Sequence, residues 1–197
     1  GNMNVANMLN AKYFIVEGDN GRPEVMVNPD AMGNAWFVDE VRCVDTPREE
    51  SDALNAMDFS KQAVTDRKFS SMVLEPNTFS GEIAFLSYAP DRLVYSSNCE
   101  GEKTAVFSDI YYPYGWKAYI DGAPVEHFRV NYVLRALNVP AGEHEIMFEF
   151  RPDSIYKGFK VNALFRYIMY TLIISLIVAS VLRELGRGPK WLRDWGA

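Results

Sequence analysis

Histidine and cysteine are scarce in this chain, two of each among 197 residues. His127, His144, Cys43 and Cys99 supply neither a CxxC pair nor a His/Cys cluster at ligand spacing, so no metal site is expected. No GxGxxG, P-loop, GxSxG or HExxH occurs, which removes the dinucleotide, nucleotide, α/β-hydrolase and zincin signatures. No catalytic residue and no cofactor is assigned. A basic excess is missing too: 20 Lys and Arg stand against 26 Asp and Glu, a net charge of −6. A phosphate-backbone binder needs a basic face, so nucleic acid is not a partner. The opening stretch GNMNVANMLNAKYFIVEG lacks the basic n-region and long apolar h-region of a signal peptide. A lone chain of this design is tail-anchored with its domain in the cytoplasm. The alternative is a piece of a longer protein whose earlier spans carry the domain across. The residues alone leave both open.

What is present is uneven. Hydrophobic residues make up 48% of the chain, which excludes global disorder, yet 17 of the 22 positions from Val161 to Leu182 are hydrophobic. From Ile168 to Leu182 (IMYTLIISLIVASVL) there is no charge at all. As a helix, 22 residues reach about 33 Å, enough for a hydrocarbon core of about 30 Å. Apolar residues occupy every face, as lipid on all sides requires. Thr171, Ser175 and Ser180 can return their hydroxyls to helix carbonyls, and Arg166, about one turn inside, can snorkel to the headgroups. Residues 161–182 are therefore expected to cross a lipid bilayer, with a basic tail at 183–197. The flanking cations are too even to orient the span: Arg151, Lys157 and Lys160 precede it, and Arg183, Arg187, Lys190 and Arg193 follow. Summed charge is less even, at −9 for residues 1–160 and +3 for residues 161–197. That excess fits a cytoplasmic tail.

The first 160 residues divide into two stretches. Residues 1–75 read as a small α+β unit: a short helix over Asn4–Asn10, strands at Lys12–Glu17, Glu24–Val27 and Ala35–Val44, and a helix opening at Thr46-Pro47-Arg48-Glu49 and running to about Met57. Residues 76–160 are β-rich. Strands are predicted at Gly81–Tyr88, Leu93–Asn98, Thr104–Ile110, Trp116–Ile120, Tyr132–Val139 and Glu145–Phe150. Asp121-Gly122 is the strongest hairpin signal. The expected fold class is α+β, mainly β: the small N-terminal unit, an antiparallel β-sandwich or jelly-roll-like domain, and one C-terminal transmembrane helix.

Ser108–Gly122 (SDIYYPYGWKAYIDG) is the most unusual segment, with five aromatic rings in nine positions. Rings with a polar tip suit sugar stacking or an interface. Trp116 and alternate tyrosines fit the sandwich core better, whereas Tyr112 and Tyr114, beside the turn, fit exposed contacts. The candidate ligand or partner contacts are Tyr112, Tyr114, Trp116, Lys117 and Asp121. Carboxylates at Asp109, Asp121 and Glu126 flank the aromatics, but a glycosidase needs two facing each other across a cleft. His127 and His144, both beside glutamates, read as surface histidines. Cys43 and Cys99 either pair, closing a long loop, or stay reduced in the core.

Four pieces in order carry a family resemblance: NMLNAKYFIV (Asn7–Val16), NPDAMGNAWFV (Asn28–Val38), YYPYGWKAYIDG (Tyr111–Gly122), and VNYVLRALNVPAGEHEIMFEFRP (Val130–Pro152), followed by the hydrophobic helix. This order resembles the C-terminal end of YfhO-type bacterial membrane proteins over nearly the whole chain. The resemblance implies a large polytopic parent, similar to lipid-linked-sugar glycosyltransferases of cell-envelope glycosylation, whose extracytoplasmic domain precedes a last membrane helix. It places residues 1–160 outside the bacterial cell membrane and the tail in the cytoplasm. It also puts Cys43 and Cys99 in an oxidising compartment, where a disulfide is favoured. In such transferases the catalytic carboxylate lies in an early loop between spans, which has no counterpart here, so none is carried over.

The expected function is a non-catalytic accessory domain that holds an acceptor glycan or polymer, or caps the membrane catalytic part. Its partners are then the bilayer through residues 161–182, the membrane part of the parent, and glycan or lipid-linked sugar. The rival expectations are a stand-alone carbohydrate-binding module and a tail-anchored cytoplasmic scaffold. The 197-residue chain should require detergent, whereas truncation near Lys160 should give a soluble domain. Size-exclusion chromatography checks this, and a monodisperse full-length monomer in plain buffer contradicts it.

Overall fold

The computed structural model describes residues 2–19, 21–185 and 189 and separates into two compact units, Gly1–Arg151 and Pro152–Ala197. The architecture is α+β and mainly β, with one C-terminal apolar helix. The first unit holds α1 (Met3–Met8), β1 (Tyr13–Glu17), β2 (Pro23–Val27), β3 (Ala35–Val38), β4 (Glu40–Val44), α2 (Pro47–Ala53) and β5 (Gln62–Asp66). After a 3-10 segment at Arg67–Met72 come β6 (Gly81–Ala89), β7 (Arg92–Cys99), β8 (Lys103–Ile110), β9 (Trp116–Ile120), β10 (Ala123–Val125), β11 (Phe128–Val130), β12 (Leu134–Val139) and β13 (Gly142–Phe150). The second unit is α3 (Asp153–Glu184).

Two antiparallel sheets form a sandwich, one ordered β10-β9-β13-β7-β6 and the other β11-β12-β8-β3. Alternation along the strands explains why they pack. In β8, Ala105 and Phe107 enter the cluster between the sheets, while Val106 faces a second cluster with α1, α2 and β5. In β12, Leu137 and Val139 face the first side and Leu134 and Ala136 the other. The four-stranded sheet is thus covered on both faces, and the middle of each central strand, Ala105–Phe107 and Ala136–Leu137, is apolar on successive residues. Between the sheets Phe107 packs edge-to-face on Tyr95 (4.9 Å) and on Phe148 (4.8 Å).

Residues 1–75 supply most of the second cluster and also lend β3 to the four-stranded sheet, where Trp36 opposes Val106 of β8. The single strand predicted over Ala35–Val44 breaks at Asp39. There the amides of Asp39 and Glu40 both donate to the Lys61 carbonyl (2.7 and 3.2 Å), and Asp39 accepts from Lys103 Nζ at 2.6 Å. The chain changes partner at that point, from β8 to a parallel pairing of β4 with β5. Parallel strands need a crossover, which α2 provides. Thr46 caps α2 by accepting from the Glu49 amide (3.2 Å), and Glu49 reciprocates one residue earlier than a standard capping box, at the Asp45 amide (3.1 Å). The helix stops at Ala53 so that Leu54, Met57 and Phe59 can turn into the core. Hairpin β1–β2 pairs only with itself, and its register places Tyr13, Ile15, Val25 and Val27 together on one exposed face.

A buried carboxylate ties the layers. Glu50, fully buried on α2, accepts from Arg129 Nη2 (2.7 Å) and from the Tyr132 amide (2.9 Å). Asn131 and Tyr132 both have left-handed φ (48° and 71°), a conformation that costs a side-chain-bearing residue energy unless its surroundings enforce it. Here Asn131 enforces it by accepting from the Val64 amide (3.0 Å) while its own amide donates to the Val64 carbonyl (2.7 Å). Glu50→Ala should cost about 3 kcal/mol, because it takes the acceptor from the Tyr132 amide and the nearer carboxylate from Arg129, leaving Asp66 at 3.7 Å. Urea unfolding followed by tryptophan fluorescence should show a lower midpoint at unchanged slope.

Candidate functional site

The aromatic segment predicted as a contact surface is held at both ends. The Tyr111 amide donates to the Val133 carbonyl (2.8 Å), and the Arg151 amide donates to the Gly115 carbonyl (2.8 Å). Gly115 leaves room for the Phe150 ring, which a Cβ at this position would have to displace. The turn delivers Trp116 to the mouth of the sandwich, half-buried, with Phe150 at 5.3 Å and the Arg135 guanidinium 4.5 Å from its ring centre.

Arg135 is the unusual member. It sits on β12, facing the interior between the sheets, and is only 2% exposed. Phe148 lies on the guanidinium at 4.7 Å, so two aromatic faces replace water around the charge. Its Nε and Nη1 have no hydrogen-bond partner among the described residues. Burial pulls Arg135 below the ordinary arginine value, and Asp109 and Tyr95 oppose that pull. Asp109 accepts from the Tyr95 hydroxyl at 3.0 Å, and burial together with that carboxylate pushes Tyr95 well above the ordinary phenol range.

Next to this group lies a groove of about 540 Å³, lined by Tyr111, Trp116, Lys117, Tyr119, Glu126 and His127, with Lys68 and Phe69 from the 3-10 segment. His127, expected on the surface, is mostly buried there, edge-on to Tyr111 (5.4 Å) and to Phe148 (5.9 Å). Burial, aided by the Arg135 charge, lowers its pKa to about 4, and its Nε2 has no hydrogen-bond partner among the described residues. The short strands β10 and β11 flank these two residues, turning His127 toward the groove while Glu126 stays exposed at its rim. Neither strand was predicted, because three-residue strands leave no periodicity.

The five predicted contact residues separate into three places. Trp116 and Lys117 line the groove. Tyr112 and Tyr114 stand outside it, 48% and 79% exposed, with rings 5.8 Å apart and nearly perpendicular. Asp121 is at the far end of β9, about 16 Å away along the strand. It has φ 50° and begins a tight turn with Gly122 at φ 79°, as the Asp-Gly pair predicts. Its carboxylate faces His144 Nδ1 (2.6 Å) and accepts from the Glu145 amide (2.9 Å), so it shapes a turn. Cys43 and Cys99 are free thiols. Cys43 is half-buried on β4, beside Val41 and Val44 of one cluster, while Cys99 belongs to the other and donates to the Pro140 carbonyl (3.0 Å). Burial raises both thiols.

The second unit offers a different surface. Helix α3 is long and apolar enough to cross a membrane, and its apolar residues are exposed along its length. Comparison with known proteins gave no match to a family model, a curated protein or a solved structure.

The two histidines should titrate in opposite directions. His127 is held below the ordinary 6.5, so protonation favours the unfolded chain. Its contribution is complete above pH 6.5 and is lost as pH falls toward 4. His144 is raised, first by its bond to Asp121. Its contribution is complete below pH 6.5 and disappears as pH climbs through the raised value. Nuclear magnetic resonance titration should show both shifts. His127→Phe should flatten the acid limb of the stability curve, and Asp121→Asn should return His144 toward 6.5.

Proposed function

We propose that this chain is the extracytoplasmic accessory domain and final anchoring helix of a polytopic membrane protein of the YfhO type. On this reading the first unit carries out no reaction. It holds an acceptor glycan or polymer of the cell envelope, or caps the catalytic membrane part. The observation that carries the reading is α3: a 32-residue exposed helix whose uncharged run from Tyr167 to Leu182 is apolar on all faces, following in sequence on a closed β-rich unit. The hydrogen bonds that Glu50 and Tyr95 make to structural partners support an accessory role for these two groups. The apolar face of hairpin β1–β2 gives a surface for capping a membrane part, and the groove beside Trp116 gives one for a polymer. The order of the four sequence pieces supplies the family.

The exposed Tyr112–Tyr114 pair favours a second reading, a carbohydrate-binding module that acts on its own. Two measurements separate these from the cytoplasmic alternative. Protease protection of the full-length parent in intact cells should expose the first unit on the outside; a protected domain overturns the extracytoplasmic reading. Titration calorimetry with cell-envelope polysaccharide should show binding, and Tyr112→Ala/Tyr114→Ala should weaken it at least tenfold with an unchanged melting temperature if the exposed pair is the contact. Trp116→Ala should instead destabilise the fold by about 3 kcal/mol, because it removes a packed ring.

A further inference from the structure

We infer that the entry of α3 is a collar for anionic phospholipid headgroups, made by Lys157, Lys160 and Arg166; this rests on the reading that α3 crosses a bilayer. Lys157, Lys160 and Arg166 are all exposed on this helix. The uncharged run between Arg166 and Arg183 is the 16 residues from Tyr167 to Leu182, about 24 Å of helix against a hydrocarbon core of about 30 Å. The shortfall must be met at the ends. Counting about 30 Å back from Arg183 puts the hydrocarbon boundary near Ala163. Arg166 then lies about 4 to 5 Å inside it, within reach of the surface for a long side chain that bends outward. Lys160 lies about 4 to 5 Å outside it, in a headgroup layer some 5 to 7 Å deep, and Lys157, about 9 Å outside, is about 2 to 4 Å beyond that layer and reaches back to it through its long side chain.

Three cations therefore meet the bilayer at the level of the phosphates, drawn there by the mismatch itself. The acidic residue of this stretch, Asp153, is about 10 Å further out than Lys160. Tyr156, Phe159 and Tyr167, all exposed, supply the aromatic ring expected at such a boundary. Phe159 stands between the two lysines in sequence and two turns above Arg166 on the same side of the helix. Zwitterionic headgroups present the same phosphate with a compensating cation. Net negative headgroups do not, so the collar selects phosphatidylglycerol over phosphatidylcholine.

The test uses the full chain with Phe159 replaced by photoreactive p-benzoylphenylalanine, reconstituted in vesicles of equal phosphatidylcholine and phosphatidylglycerol. Mass spectrometry of the illuminated protein counts adducts to each lipid at this position, away from the cations at the other end of the helix. Phosphatidylglycerol adducts should exceed phosphatidylcholine adducts about fivefold or more, the ratio that about 1 kcal/mol per surface cation implies. K157Q/K160Q/R166Q should bring the ratio to about one, and K157R/K160R/R166K should keep it. A ratio near one in the parent chain, or an unchanged ratio in the glutamine variant, overturns the inference. Loss of the preference on adding inorganic phosphate at constant ionic strength also overturns it, by showing a site for soluble phosphate instead. Alkaline carbonate extraction of every variant reports membrane integration. Integrated protein without lipid preference refutes the collar and leaves the anchor standing; extraction of the parent chain refutes both.

Discussion

Burial of one sheet on both faces is the constraint from which the first unit follows. The sheet β11-β12-β8-β3 has apolar residues pointing both ways, and neither face can be left to water. One face is met by the five-stranded sheet. The other demands a second covering layer, and α1, α2 and β5 supply it. This is why residues far upstream of the sandwich cannot be a loosely attached module: Met8, Val38, Leu54, Phe59 and Val64 belong to the same cluster as Val106 and Leu134. It is also why Glu50 is buried. The covering layer has to meet the β11–β12 turn, where two residues with left-handed backbone leave an amide that requires an acceptor.

The same constraint makes Arg135 exceptional. Every second residue of β12 must face the interior between the sheets, and at this one the sequence puts a permanent charge. A guanidinium there avoids a large desolvation cost only where aromatic faces and a nearby carboxylate offset it. Trp116, Phe148 and Asp109 take that part. Trp116 is thereby committed to the interior on one side while its neighbours line the groove. The groove's shape and the stability of the sandwich are coupled through a single ring, and His127 is coupled to both by the charge that lowers its pKa.

How much of this was legible depended on how many residues each element uses to declare itself. The nine-residue β6, eight-residue β7 and eight-residue β8 were visible, because alternation or a long apolar run fills the window. The I′-type turn at Asp121-Gly122 was visible because only certain residues accept positive φ twice in succession. Strand β5 was not predicted. Its Ala63, Val64 and Thr65 are all buried, so no alternation exists, and its partner β4 is parallel and distant. The break at Asp39 was hidden for a related reason: a strand that changes partners keeps a strand-like sequence. Within the aromatic segment, the placing of Trp116 inward and Tyr112 and Tyr114 outward was legible from the Pro-Gly turn. The separation of Asp121 from them was not, because adjacency in sequence along an extended strand is distance in space.

The C-terminal helix obeys a different rule, and the contrast is what gives it meaning. A helix that serves a soluble core carries its apolar residues on one stripe and polar residues on the rest. From Tyr167 to Leu182 α3 has no such stripe; Leu172, Ile173 and Ile174 point in three directions about 100° apart, and all are exposed. No single neighbouring surface satisfies a helix of that kind, because one surface covers one side. An apolar medium on all sides does. The first unit needs nothing from the helix to close its own two clusters, which draw entirely on residues between Val5 and Phe148. The helix in turn gains nothing from an amphipathic pattern it does not possess. The 48% hydrophobic content of the chain is therefore an average over two unlike patterns, the alternating strands of the sandwich and the all-round apolar run of α3.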